Sequence, residues 1–127
     1  MLKRIYYHDT DCGGVVYYAN YLKYLEEART EYMESRGLIL KELAEKGFLF
    51  VVRRVDIEYK SPAHYGDTLE ISSKLSKIKN VSVEFLQEIK RDSQLCVSAT
   101  TILVCIDKNF RPCAMCEELI NKFQNEI

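Results

Sequence analysis

The spacing of hydrophobic residues changes character along the chain, and each change predicts an element. Residues 3–8 are largely β-branched and aromatic and read as a strand. The polar, glycine-containing stretch Asp9-Thr10-Asp11-Cys12-Gly13-Gly14 follows as a loop. From Tyr17 or Asn20 to Arg36, Tyr21, Leu25, Ala28, Tyr32 and Met33 recur at helical spacing, and Leu22 widens the stripe. Glu26, Glu27, Arg29, Glu31 and Glu34 fill much of the opposite side. Gly37 supplies the stop, because glycine accepts the left-handed conformation that follows a helix end. A shorter helix is predicted over roughly residues 39–46, closed by Gly47.

Beyond Gly47 the period drops to two. Residues 48–60 carry the apolar run Phe48–Val52 and then alternating Val55, Ile57 and Tyr59. Ser61-Pro62-Ala63-His64-Tyr65-Gly66-Asp67 reads as a turn, since proline cannot donate to a central ladder. Leu69, Ile71, Ser73 and Leu75 alternate, as do Val81, Val83, Phe85, Gln87 and Ile89, with Lys79-Asn80 as the hairpin between them. Asp92-Ser93-Gln94 turns the chain again into residues 95–107, and a short helix near 116–125 follows. One strand, a long helix, a short helix and four antiparallel strands describe an α+β fold whose long amphipathic helix covers a five-stranded sheet. Ile102, Val104 and Ile106 add apolar positions on the second face of the last long strand, which suggests a further buried surface and an oligomer.

Composition narrows the function classes. The 127 residues suit one domain, 1–127, and show no repeat or low-complexity linker. A net charge of −1 supplies no global field for nucleic acid, and no reader motif accompanies it. No apolar run is long enough to span a bilayer, and the opening Met1–Tyr7 lacks the apolar stretch of a signal peptide, so a cytoplasmic protein is expected. Five cysteines, an odd number, fit a reducing compartment. Cys96 and Cys105 lie in apolar strands and read as small core residues. Cys113-Ala-Met-Cys116 is a lone CxxC without the further ligands zinc needs, and no metal is expected.

Candidate chemistry concentrates at residues 7–21. A carboxylate and a Gly-Gly pair precede a helix whose first amides carry partial positive charge and lack intrahelical acceptors. Such amides stabilise an oxyanion forming on a carbonyl held against them, with Asp11 in reach of the carbonyl carbon or of an attacking water. The same residues also fit a plain loop in which Asp9 or Asp11 caps the helix.

The pattern Tyr7-x-Asp9-Thr10-Asp11-x-x-Gly14-x-Val16-Tyr17-x-x-x-Tyr21 resembles the signature of the YbgC-like and 4-hydroxybenzoyl-CoA thioesterases. The resemblance continues through Glu26-x-Ala28-Arg29-x-Glu31, Phe50-Val51-Val52-Arg53-x-Val55-x-Ile57-Glu58-Tyr59, Ser61-Pro62-Ala63 and Asp67-x-Leu69-Glu70-Ile71. It ends in Leu103-Val104-Cys105-Ile106-Asp107 and Arg111-Pro112, and so covers nearly the whole chain. It implies a hotdog fold, a five-stranded antiparallel sheet wrapped around one long central helix. It also implies hydrolysis of a small-to-medium acyl-CoA to free acid and CoA, with no cofactor. Carried over position by position, the catalytic carboxylate falls on Asp11, the carbonyl-polarising amide on Tyr18 at the helix start, and an active-site tyrosine on Tyr7. Gly14, Val16, Tyr17 and Glu26 fall at substrate-lining positions. Lys79 matches a position that meets the nucleotide phosphates of CoA, with Lys77, Lys60 and Arg53 as further basic candidates. The resemblance further implies a homodimer or homotetramer with the pocket between protomers, and acyl carrier protein as a partner. YbgC-like members carry histidine where this chain has Tyr18, whereas the 4-hydroxybenzoyl-CoA branch has tyrosine. That departure keeps a second class open: a module of the same fold that binds acyl-CoA or acyl carrier protein without hydrolysis.

Overall fold

A computed structural model describes residues 1–124. The chain runs β1 (Leu2–Arg4), α1 (Asn20–Ser35), α2 (Leu40–Glu45), β2 (Leu49–Tyr59), β3 (Thr68–Ile78), β4 (Ser82–Arg91), β5 (Gln94–Ile106) and α3 (Glu117–Gln124). The strands form one sheet in the order β1-β3-β4-β5-β2, every neighbouring pair antiparallel. Alternation sends Leu69 and Ile71 of β3 and Val83, Phe85 and Ile89 of β4 to the same interior. α1 lays Tyr21, Tyr24, Leu25 and Ala28 on this surface, against Leu69, Ile71, Ile89, Val97 and Ala99. A second cluster joins Met33 at the other end of α1 to Leu38, Phe85, Leu103, Cys105 and, from α3, Leu119 and Phe123. Cys96 and Cys105 are fully buried, as the apolar strands predicted, and burial pushes the Cys105 thiol up to about 12.

Four expectations need correction. The first strand does not run over 3–8. It stops at Arg4, and the chain makes a 3-10 turn at Tyr7–Asp9, because the Asp9 carboxylate accepts the Tyr6 N–H at 2.8 Å and folds the segment back. Tyr24, not Leu22, belongs to the buried stripe of α1; Leu22 is exposed. Arg29 is also on the buried side, 7% exposed, with Nη1 donating to Gln87 Oε1 at 3.2 Å. Gln87 in turn donates to Leu25 O and Ser73 Oγ, both at 3.0 Å, so one polar pair is satisfied inside the core. Finally, Val104 and Ile106 are already buried within the single chain and Ile102 half-buried, so that strand face leaves little apolar surface for a partner. The last helix spans Glu117–Gln124; residue 125 of its expected range lies outside the described residues.

Candidate active site

Asp11 opens a tight hairpin. Thr10 and Val16 form an antiparallel bridge, Asp11 N–H donates to Val15 O at 2.9 Å, and Gly14 N–H returns to Asp11 O at 3.0 Å. Gly14 sits at φ 80°, a region that costs any residue with a Cβ. Gly13 N–H donates to Asp11 Oδ1 at 2.8 Å and so holds the carboxylate. A Cβ at Gly13 would stand 3.1 Å from that oxygen. The two glycines therefore have separate uses: one makes the turn, the other makes room for the carboxylate.

The hairpin is tied to the scaffold at both sides. Val15 bridges to His64, and Val16 N–H donates to Ala63 O at 2.8 Å. The chain then turns through Tyr17–Ala19 into α1. Asn20 N–H donates to Tyr17 O at 2.9 Å and Leu22 N–H to Ala19 O at 3.2 Å, so the turn leads directly into the helix. Tyr18 thus precedes α1 rather than starting it. The helix N-cap is Ala19 and no side chain caps it, which removes the capping reading for both Asp9 and Asp11. Among the described residues, Tyr18 N–H and Ala19 N–H find no acceptor.

Beside this turn a cavity of about 290 Å³ is lined by Val16, Tyr18, Tyr21, Tyr59, Lys60, Ser61 and Pro62. Tyr59 Oη donates weakly to Tyr18 O at 3.4 Å, and burial pushes the Tyr59 and Tyr21 phenols up, keeping both protonated. A larger cleft, about 460 Å³, lies over the strands near Ser72, Lys74, Glu88 and Thr100. It touches none of the candidate residues, whereas Tyr18 is among the residues that line the smaller cavity.

The remaining candidates divide by location. Val16, Tyr18 and Lys60 line the small cavity, with Gly14 and Tyr17 in the segment that forms its edge. Asp11 is exposed in the single chain and lines none of the described cavities. Tyr7 is also exposed and stacks on Tyr65, with ring centroids 3.8 Å apart. Glu26 is exposed on α1 and accepts from Thr30 Oγ1 at 3.4 Å. Lys60 Nζ lies 3.2 Å from Glu58 Oε2. Arg53 occupies a bulge in β2, between Val52 and Arg54, and is exposed. Lys77 and Lys79 lie at the far end of β3, nine residues or more from Thr68 and about 30 Å along the strand. One chain therefore does not bring them to Asp11. No group of three or more potential metal ligands occurs among the described residues.

Comparison with known proteins identifies the family. The thioesterase-like superfamily model matches residues 6–123. The acyl-CoA thioester hydrolase YbgC of Escherichia coli is 35% identical over 123 residues, covering 95% of this chain and 92% of the relative. The acyl-CoA thioesterase YbgC of Haemophilus influenzae is 36% identical over 124 residues, covering 96% and 91%. A solved structure of a probable thioesterase from Bartonella henselae superposes with a TM-score of 0.87 at 29% identity, covering 91% of this chain and 97% of that one. Sheet, helix and loop define a hotdog thioesterase. The chain belongs to the YbgC-like acyl-CoA thioesterase family within the thioesterase-like superfamily.

Proposed function

We propose that acyl-CoA hydrolysis by this protein proceeds at Asp11, with the Tyr18 N–H polarising the thioester carbonyl. The observation that carries this is a carboxylate held by Gly13 N–H on a hairpin anchored to the sheet, followed directly by the Tyr17–Ala19 turn, in which Tyr18 and Ala19 N–H have no acceptor among the described residues. A thioester carbonyl is electrophilic and the thiolate leaves readily, so one placed carboxylate and one or two amides suffice. Asp11 either attacks the carbonyl, expelling the CoA thiolate and forming an anhydride that water cleaves, or takes the proton of a water that attacks. Both routes release free acid and CoA without a cofactor. Single turnover in oxygen-18 water tests for the first: label enters the Asp11 carboxylate only by that route, when water attacks the aspartyl carbon of the anhydride, and trapping of the acyl adduct on Asp11 detects it when water attacks the acyl carbon.

Exposure of Asp11 in the single chain supports an assembly in which a second copy closes the pocket. β2 is the open edge of the sheet opposite β1, and Val51, Val52, Val55 and Tyr59 on it are exposed. Pairing β2 with its two-fold mate removes that edge and brings a second set of basic residues to the assembly, which gives Arg53, Lys77 and Lys79 a route to the CoA phosphates. Tyr7, Glu26 and Lys60 then act at the mouth. Among the described residues no helix is long and apolar enough to cross a membrane, which accords with action in the cytoplasm. Acyl carrier protein is the partner that kinship supports.

The decisive experiment is thiol release from a panel of acyl-CoAs by the wild-type protein and by Asp11→Asn. The reading expects a drop in kcat of about a hundredfold or more with modest change in KM. Near-normal turnover by Asp11→Asn would overturn it. Binding without turnover in the wild type would instead favour the non-hydrolytic module.

A further inference from the structure

Asp9 is the one buried carboxylate among the described residues, 6% exposed, and the reaction as proposed gives it no part. It lines none of the described cavities. Burial without purpose is costly for a carboxylate, and here every oxygen is occupied. Oδ1 accepts the Tyr24 hydroxyl at 2.7 Å and Oδ2 accepts the Tyr6 N–H at 2.8 Å. The backbone carbonyl of the same residue accepts Tyr17 N–H at 2.9 Å and Asn20 Nδ2 at 2.9 Å.

These four bonds have a geometric consequence. The side chain fastens the residue to the β1 exit and to α1, one full turn inside the helix at Tyr24. The carbonyl then grips the chain at Tyr17 and at Asn20. Tyr18 and Ala19 are the two residues between those grips, and neither of their N–H groups has an acceptor among the described residues. An amide that is to stabilise an oxyanion must be aimed beforehand, because reorientation during the reaction would cost what the interaction supplies.

We propose that Asp9 is a positioning residue: a buried clamp, working through Tyr24, Tyr17 and Asn20, that holds the Tyr18 amide in place for the thioester carbonyl. The inference rests on the reading of Tyr18 N–H given above. It assigns Asp9 no contact with substrate and separates the two aspartates of one short motif into a reacting and an orienting group.

The test uses the full chain with two isosteric variants, Asp9→Asn and Tyr24→Phe, beside Asp11→Asn as reference. Asp9→Asn should lower kcat about ten- to a hundredfold while KM for acyl-CoA stays within about twofold, the mark of an interaction made only in the transition state. Tyr24→Phe should lower kcat less, and the double variant should be no worse than Asp9→Asn alone, since both cut the same clamp. Backbone 15N relaxation supplies the readout that a general loss of stability would not move: Tyr17, Tyr18 and Ala19 become mobile while Leu25, Ala28 and the sheet amides do not. If Asp9→Asn is too unstable to assay, Tyr24→Phe carries both measurements. Wild-type kcat in both clamp variants, or relaxation changes spread evenly over the chain, would overturn the proposal. Should Asp11→Asn itself retain turnover, the reading beneath fails, and rigid Tyr17–Ala19 amides in the Asp9 variant would then refute the clamp separately.

Discussion

At the residue scale the candidate site depends on small geometric allowances. Gly13 illustrates this: adding one carbon there reaches the Asp11 carboxylate before it reaches anything else within contact distance. Gly13→Ala is expected to cut kcat about tenfold by displacing that oxygen, with little change in unfolding. Urea titration and acyl-CoA turnover on the same sample check both halves. Gly14→Ala should behave differently, because nothing crowds its Cβ and its positive φ is the obstacle; it should lose about 1–2 kcal/mol of stability. Asp9 has a pH signature of its own. Burial raises its pKa, but the Tyr24 and Tyr6 hydrogen bonds, with His8 and Lys3 nearby, outweigh this and hold the carboxyl below the ordinary carboxylate range. A folded-state pKa lowered in this way contributes stability above the unfolded value of about 4 and loses it as pH falls through the folded value. Melting curves from pH 5 downward should therefore show a steeper acid decline in the wild type than in Asp9→Asn. Asp11 was legible as the carboxylate to watch from its motif, whereas the role of Asp9 was not. Its partners Asn20 and Tyr24 lie eleven and fifteen positions away, on a face that spacing alone did not settle.

At the scale of elements, period-two alternation marked β3, β4 and β5 within a residue or two of their observed limits at most ends, since β4 and β5 bury one face along most of their length and β3 does so at Leu69 and Ile71. It misplaced Arg29 for a reason of the same kind in reverse. A charged residue on a helix reads as solvent-facing, and the acceptor that admits it to the core, Gln87, is 58 positions away on another element. β1 was overextended because β-branched and aromatic residues after Arg4 have strand propensity, and a single side-chain-to-backbone bond from Tyr6 to Asp9 overrides it. Hairpins were more legible. Asp92 and Ser93 both adopt positive φ, 48° and 69°, between β4 and β5, as a two-residue turn of the primed type requires. Neither residue is the best choice for that conformation. Replacing them by Asn-Gly is expected to raise stability by about 1 kcal/mol without touching activity, and denaturant midpoints with unchanged kcat would bear this out.

At the scale of the whole molecule, the sheet has two unequal edges. β1 covers part of β3 with three residues, while β2 leaves eleven residues of backbone along the other side. An open edge of that length carrying exposed valines is a pairing surface that proteins ordinarily hide. The apolar residues anticipated on the far face of β5 are mostly buried within the chain, so this edge, rather than that face, is the apolar surface open to self-association. The candidate residues point the same way. Asp11 and the Tyr18 turn lie at one end of the sheet, and Lys77 and Lys79 about 30 Å away at the other, too far to serve one CoA from one chain. In the proposed pairing, two copies joined through β2 would offer both sets to each pocket and enclose the carboxylate that one copy leaves in solvent. Sedimentation at micromolar concentration should accordingly show a dimer or a multiple of it. Val52→Glu, which places like charges near each other across a two-fold edge, should shift the protein toward monomer and reduce turnover in proportion. The circular dichroism of that monomer should remain native, since Val52 is half exposed and makes no part of either core cluster. A folded, fully active Val52→Glu monomer would instead place the complete site within one chain and free the distant lysines from any part in it.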